Sequence, residues 1–426
     1  MNLYETYLRS RKVTTDSRAI TPGCIFFAFK GEHFDGNAFA PTALEQGAAM
    51  CVISDAQYAV DERCVVVDDV LATLQELARE HRRHLTVPVI GITGTNGKTT
   101  TKELVHAVLA KRYKASATKG NFNNHLGVPL TLLSIPEETE IAIVEMGANH
   151  PGEIEFLCGI SDPDCGLITN VGRAHLEGFG SFEGVVRTKT ELYRHLAGKH
   201  GLVFVNADNE RLMHEAAGME KSVTYGRSEG AKVRGSHVAD TPFMKFYFEV
   251  QDNVYTVQTH LLGGYNFDNC MAAVAVGLHF GVEPWDIKEA IEAYVPSNQR
   301  SEFKETARGN RLYLDCYNAN PSSMAAAIAS FKSMKGTMAV IGGMHELGAD
   351  ERQEHERLVA QLDDCRLERC LLVGPEFESM SLPENMLRFP DTESVRAWLQ
   401  EHPVSGATIL VKGSNTNRLW TLEELL

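Results

Sequence analysis

The chain has 426 residues, 43% apolar and 23% charged, an ordinary balance for a soluble globular protein that is long for one core and suits two to four domains. With 41 basic against 56 acidic side chains the net charge is −15, which argues against a general nucleic-acid or anionic-membrane surface but leaves room for a local cradle around a nucleotide. Nine scattered cysteines without a Cys-Xaa-Xaa-Cys pair suggest neither zinc nor a disulfide scaffold. Met1 to Arg11 lack the apolar core of a signal peptide, and no apolar run would span a bilayer, so a reduced, cytoplasmic setting is expected.

In residues 1–85, short apolar strands (Cys24–Phe29, Ala49–Ser54, Cys64–Val67) alternate with helical patterns (Ala40–Gln46, Val70–His84), as in a small α/β unit. Asp16, Ser17 and Arg18 follow Thr15 in a turn before Pro22-Gly23, and Gly31 to Gly36 form a second polar loop. Loops on a rigid sheet often bind ligands, but these residue types are also plain turn formers. Arg79 to His84 reads as the solvated end of a helix. His81 and His84 have a metal-compatible spacing, but nothing nearby supplies further ligands, so this end is assigned to the surface.

The most informative stretch lies in residues 86–296. The apolar run Val89–Ile92 reads as a buried strand and Lys98–Lys111 as a helix, joined by Thr93-Gly94-Thr95-Asn96-Gly97. Small residues there let backbone N–H groups converge on an anion at the helix N-terminus, with Lys98 reaching outer phosphates and Thr99 holding a Mg²⁺. The usual P-loop glycine five positions before Gly97 is Ile92, so this is a variant loop; ligand-free glycine turns of this kind also exist.

Strands at Tyr113–Ala117, Ile141–Glu145, Cys165–Asn170 and Leu202–Asn206 alternate with helices, which predicts a doubly wound, mostly parallel sheet, and alternation over Lys232–Leu262 predicts an antiparallel insertion or edge. Glu145 would end its strand at the same sheet edge as the P-loop, where it could share a Mg²⁺ with Thr99 or merely cap a turn. His175 follows the next strand and is equally well a hydrogen-bonded loop histidine. Lys189 falls in a predicted helix, Phe182–Leu196, where a lysine normally faces solvent. Asn266 and Asn269 are one turn apart on the helix Asn266–Phe280, so their amides could read a purine edge.

Beyond a boundary at Pro296 to Arg300, residues 297–426 again alternate strands (Tyr313–Asp315, Met338–Ile341, Cys370–Val373, Thr408–Val411) with helices beginning near Pro321 and Asp350. Three polar loops follow these strands: Asp315 to Pro321, Gly342 to Gly348, and Lys412-Gly413-Ser414. Together they suggest a binding face, with Asp315 taking ribose hydroxyls or a cationic group. There is no fixed-period repeat or low-complexity tract.

These motifs, with Gly120-Asn121-Phe122-Asn123-Asn124, Glu145 to His150 and Ala174 to Ser181, resemble the Mur ligases, ATP-dependent amide-bond-forming enzymes of peptidoglycan synthesis, in order and over nearly the whole length. The resemblance implies three domains: a small N-terminal α/β domain (1–85) for a UDP-sugar, a central P-loop domain (86–296) for ATP, and a Rossmann-like C-terminal α/β domain (297–426) for the incoming amine and ATP contacts. It implies that Gly94, Thr95, Asn96, Gly97, Lys98, Thr99, Thr100, Asn266, Asn269, Arg300 and Asp315 bind ATP. Thr99, Glu145, His175 and Lys189 would surround two Mg²⁺ sites, with Lys189 carbamylated. Lys98, Glu145, His175 and Lys189 would be catalytic, and Asp16, Ser17, Arg18, Asn121, Asn123, Asn124, Tyr317 and Asn320 would bind substrate.

The implied reaction joins D-alanyl-D-alanine to the peptide carboxylate of UDP-MurNAc-tripeptide through an acyl phosphate, in a cytoplasmic monomer without nucleic-acid or membrane partners. The alternative is addition of diaminopimelate or lysine to UDP-MurNAc-dipeptide, whose diaminopimelate version carries an Asp-Asn-Pro-Arg motif absent here. A kinase acting on an alcohol and an inactive nucleotide-binding scaffold are the readings from other classes. Two positions depart from the family pattern: Tyr265 stands where His is common, and Asn415 where Arg often follows Lys-Gly-Ser, with Arg418 three residues on.

Overall fold

Among the described residues, strands gather into three sheets of four, nine and six members, and one deep cleft opens between the units of the second and third. The structure is a computed structural model and describes residues 2–240, 242–297, 299–334 and 336–426.

The first sheet is wholly parallel, in the order Val13–Thr14, Ile25–Phe27, Met50–Ile53, Cys64–Val66. Its long helix Val70–His84 starts on an Asp69 cap and turns Val70, Leu74, Leu77 and Ala78 inward, the period expected of one apolar face. That face packs on the middle unit's helices Gly127–Leu133 and Glu153–Ser161. The surface assignment of Arg79 to His84 is therefore corrected at two positions. His81 is 2% exposed, and buried Arg82 donates from Nε to Ser161 O (2.8 Å) and from Nη2 to Asp162 O (2.7 Å) and Asp164 Oδ2 (2.8 Å). The guanidinium supplies several donors in one plane, which matches carbonyls left open at a helix C-terminus.

The nine strands of the middle sheet run in the order Asn253–Leu262, Phe243–Val250, Val233–Asp240, Lys221–Gly226, Leu202–Asn206, Cys165–Ile168, Val89–Thr93, Ile141–Glu145, Ala115–Ala117. The first three pair antiparallel at one edge and the others parallel. Val89–Thr93 and Ile141–Glu145 are buried at every residue, as strands covered by helices on both faces must be. Their register sets Ile92 beside Glu145, so the P-loop and the Glu145 carboxylate leave the sheet at the same edge. The predicted helix Phe182–Leu196 is instead two, Phe182–Lys189 and Glu191–Gly198. At the break, the Thr190 hydroxyl donates back to Val186 O and Arg187 O, competing with the helical ladder.

The third sheet runs Glu302–Glu305, Arg311–Asp315, Thr408–Lys412, Met338–Gly342, Arg369–Val373, Met386–Phe389, with only its first pair antiparallel. Asp315 pairs in register with Lys412, so both polar loops open at one edge, facing the P-loop. Among the described residues no helix is long and apolar enough to cross a membrane.

Candidate active site

The turn between Val89–Thr93 and the helix Lys98–Leu109 depends on glycine at two places. Gly94 has φ 143°, and a Cβ there would lie 2.0 Å from Thr169 Oγ1; Gly97 has φ 77°, and its Cβ would lie 2.5 Å from Asn269 Oδ1. The loop is braced from behind by the end of Cys165–Ile168. Thr95 N–H donates to Asn170 O (2.9 Å), Asn96 N–H to Asn170 Oδ1 (3.0 Å), and Thr169 Oγ1 to Asn96 O (2.6 Å). No side chain caps the helix at Gly97, so its first turn keeps N–H donors for an anion. Lys98 Nζ folds back onto Gly94 O (2.8 Å) and Thr95 O (2.9 Å). Burial lowers this ammonium to about 8, against Glu145, which raises it, and Arg300 adds to the lowering.

Glu145 is 1% exposed. Its Oε1 accepts from Thr99 Oγ1 (3.2 Å) and Asn123 Nδ2 (2.8 Å), whereas Oε2 is buried without a hydrogen-bond partner. A carboxylate oxygen left bare beside a P-loop threonine fits a hard divalent cation. Among the described residues no three His, Cys, Asp or Glu side chains form a ready-made metal cluster. Mg²⁺ uses one or two protein oxygens and completes its shell with water and phosphate, so Glu145 Oε2 and Thr99 Oγ1 could hold it.

The four residues expected around metal are not brought together equally. His175 lines the same cavity at φ 50°, but its Nδ1 meets Glu346 Oε2 from the third sheet's Gly342–Gly348 loop. Burial lowers its pKa, against the Glu346 carboxylate. Lys189 lies behind the cavity wall: it is 2% exposed, with Nζ donating to Ala148 O (3.2 Å) and lying 5.3 Å from the centre of the Phe179 ring. The expectation of a solvent-facing helix lysine is thus corrected. Burial, seconded by Lys98, pushes its pKa well below that of a free lysine.

The cavity has a volume of about 780 Å³ and is closed across the cleft by the third unit. Asn96 and Asn320 exchange side-chain hydrogen bonds, and Arg173 N–H donates to Ser322 Oγ (2.9 Å). Lys412, 1% exposed, pairs with Asp315 Oδ2 at 2.6 Å, and the Arg300 guanidinium lies 3.6 Å from the centre of the Tyr317 ring.

Asn266 and Asn269 line the cavity, but their amides first serve each other. Asn269 Nδ2 donates to Asn266 Oδ1 (2.8 Å), Asn266 Nδ2 to Leu262 O (2.8 Å), and Asn269 Oδ1 accepts from Thr101 Oγ1 (3.0 Å). Asn121, Asn123 and Asn124 line the opposite wall; Asn124 Oδ1 also accepts from the N–H groups of Leu126 and Gly127. Thr100 lines it too. Asp16, Ser17 and Arg18 are not among the lining residues. Exposed Arg18 folds onto Asp16 through Nε (2.9 Å) and Nη2 (2.8 Å), which lowers the Asp16 carboxyl to about 2. Glu346 and Lys412 lie in loops that the sequence marked as a binding face, without a role for either residue; Tyr265 and Ser301 were missed as site residues, and nothing in the sequence signalled Ser301.

Residues 10–82 match the Mur ligase family catalytic domain, residues 92–277 the Mur ligase middle domain, and residues 299–415 the Mur ligase glutamate ligase domain. The chain is 36% identical over 368 residues to the UDP-N-acetylmuramoyl-tripeptide–D-alanyl-D-alanine ligase of Bacillus subtilis, spanning 85% of this chain and 79% of that protein. The chain belongs to the Mur ligase family. The crystal structure of MurF ligase from Thermotoga maritima in complex with ADP superposes with a TM-score of 0.86 at 29% identity, covering 100% of this chain and 98% of that one. MurF from Acinetobacter baumannii superposes with a TM-score of 0.87 at 30% identity, covering 97% and 93%. The Mur ligase matches fall separately on the three sheets, and the cavity described above lies between the parts matched by the middle and glutamate ligase domains.

Proposed function

We propose that this Mur ligase joins D-alanyl-D-alanine to the peptide carboxylate of UDP-MurNAc-tripeptide, driven by ATP. The observation that carries this reading is a P-loop with a bare buried carboxylate oxygen facing a second, polar sheet edge across one cavity. Its divided walls suit two reactants held apart from water until they meet. The alternative of adding diaminopimelate or lysine is set aside, because the relatives matched over most of the chain are the D-alanyl-D-alanine-adding enzymes.

A carboxylate is a poor electrophile. Transfer of the γ-phosphoryl group to the tripeptide carboxylate makes an acyl phosphate; the amine of D-alanyl-D-alanine attacks its carbonyl, and phosphate leaves from the tetrahedral intermediate. The uncommitted backbone donors of residues 97–100 hold the phosphates, and Lys98 turns from its carbonyls toward the transferring group, where its charge is worth most in a dry site. Thr99 and Glu145 would hold Mg²⁺, which would supply positive charge against that of the phosphates, and His175 would serve a second such ion. Burial holds the Lys189 pKa well below that of a free lysine, which favours the amine form that adds carbon dioxide; the resulting carbamate would offer a metal oxygen ligands.

Asn266 and Asn269 hold adenine, with Arg300 and Asp315 on phosphate and ribose. Residues 1–85, through Asp16, Ser17 and Arg18, take the uridine end, residues 86–296 take ATP, and residues 297–426, through Tyr317 and Asn320, take the dipeptide. Asn121, Asn123 and Asn124 face the sugar peptide. The protein acts as a cytoplasmic monomer without nucleic-acid partners. The test is phosphate release by purified protein given ATP and UDP-MurNAc-tripeptide. Release that depends on D-alanyl-D-alanine and not on single amino acids supports the reading; release independent of any amine, with a stable phosphorylated product, indicates a kinase and overturns it.

A further inference from the structure

Arg300 stands between two residues in a conformation that side chains resist: Gln299 has φ 61° and Ser301 φ 53°. Two left-handed non-glycine residues flanking one arginine make a strained segment that persists only where the surroundings over-determine it. Three contacts do so. Gln299 N–H donates to Glu302 Oε1, Cys316 N–H donates to Gln299 O (2.9 Å), and the Ser301 hydroxyl meets the Tyr265 hydroxyl at 3.0 Å. The outcome is that the Arg300 guanidinium lies over the Tyr317 ring and lines the cavity together with Lys98.

The Tyr265 ring is itself seated by the chain beneath it. Gly263 has φ +82°, and a Cβ there would come within 2.4 Å of Tyr265 Cε1, so the backbone passes directly under the ring. The next residue, Gly264, donates its N–H to Asp240 Oδ2 (3.1 Å), fixing the approach to the helix Asn266–His279. Tyr265 is thus a rigid post on the middle unit, and Ser301 is the point where the strained segment ties to it.

We propose that Tyr265 is a positioning residue: through the Ser301 hydroxyl it holds the strained turn that aims Arg300 at the nucleotide phosphates. This rests on the ATP-site reading above. The ring of Tyr265 also lines the cavity, so the test removes only the hydroxyl.

Steady-state kinetics and calorimetric binding of an adenine nucleotide are measured for Tyr265→Phe, Ser301→Ala, Arg300→Ala and their combinations. Tyr265→Phe and Ser301→Ala should each lower kcat/KM for ATP about five- to tenfold, the worth of one hydrogen bond. The double variant should be no worse than either single one, and Tyr265→Phe should add no loss to Arg300→Ala. Gln299→Gly should raise Tm by relieving strain while lowering kcat/KM, a divergence that a merely structural role would not give. Wild-type kinetics for Tyr265→Phe in a protein that binds nucleotide, or losses that add with those of Arg300→Ala, would overturn the proposal alone. A wild-type protein that binds no adenine nucleotide would overturn the ATP-site reading on which it rests.

Discussion

Asn96 of the P-loop and Asn320 of the third unit, 224 residues apart, exchange two amide hydrogen bonds: Asn320 Nδ2 to Asn96 Oδ1 at 2.8 Å and Asn96 Nδ2 to Asn320 Oδ1 at 3.4 Å. Asn320 is also the N-cap of the helix Pro321–Ser333, its Oδ1 accepting from Ser323 N–H at 2.9 Å. One amide thus caps the helix and latches that helix onto the phosphate loop, so loop geometry and interdomain closure are coupled in a single side chain.

Asn320→Asp separates the two roles. The carboxylate still caps, because it still accepts, but it can no longer donate to Asn96 and sets oxygen against oxygen. Turnover per bound ATP should fall about tenfold, while Tm moves by less than about 2 °C. Asn320→Ala loses the cap as well and should cost about 1 kcal/mol of stability. Equal losses of stability in both variants, read from thermal melts, would show that the latch has no separate existence.

The latch was not readable from the sequence, and the reason is general to this chain. Ile141–Glu145 and Val89–Thr93 were legible because both faces of a covered parallel strand are apolar, and the edge 233–262 because its alternation is that of antiparallel pairing. Glu302–Glu305 was not legible: two of its four residues are glutamate, as an edge strand permits, and no apolar run marks it. Likewise, Glu145 could be placed at the sheet edge from its strand, but its bare oxygen could not. Lys189 and Arg82 look like surface residues in any helical window. The burial of Lys189 is decided by Ala148 and Phe179, brought near by the tertiary fold of the middle unit, and that of Arg82 by Ser161 and Asp164, which only the packing of the first unit on the second brings near. The His175–Glu346 contact joins positions 171 apart.

The packing of the first unit on the second carries a pH dependence. Burial, seconded by Arg11 and His84, lowers His81 to about 4, and its Nε2 is buried without a partner. Its pKa is below the unfolded value, so the unfolded chain binds more protons between about pH 6.5 and 4. Stability therefore rises with pH through that window and is lost as pH falls. His81→Gln, which cannot charge, should flatten the curve by about 2 kcal/mol between pH 7 and 4, read from urea midpoints against wild type. Parallel curves for the two proteins would refute this.

Lys98 gives a second titration, this time linked to ligand. With its ammonium lowered to about 8 in the free protein, a bound polyphosphate should raise it, so binding takes up protons when the pH lies above that value. At pH 8.5, calorimetry of ATP binding in buffers of differing ionisation enthalpy should show uptake of most of one proton. Lys98→Ala should abolish the uptake, lower kcat by at least about 10³-fold and leave Tm nearly unchanged. Uptake that persists in Lys98→Ala would assign the proton to another group.

Lys189 is the position where burial and chemistry pull the same way. A charged ammonium enclosed beside Ala148 and Phe179, with Lys98 in electrostatic range, is disfavoured, and that shift favours the neutral amine, the nucleophile carbon dioxide requires. On the proposed reading the nitrogen would add to the carbon, one proton would leave to solvent, and the side chain would become an anion with two oxygens, which lysine itself can never offer a metal. Lys189→Ala should lower kcat by at least about 10²-fold, and small carboxylates such as acetate, entering the space vacated, should restore part of it. A ¹³C-bicarbonate-labelled carbamate resonance should be present in wild type and absent from the variant. Its absence from wild type, together with no rescue at high acetate, would leave Lys189 a buried structural amine.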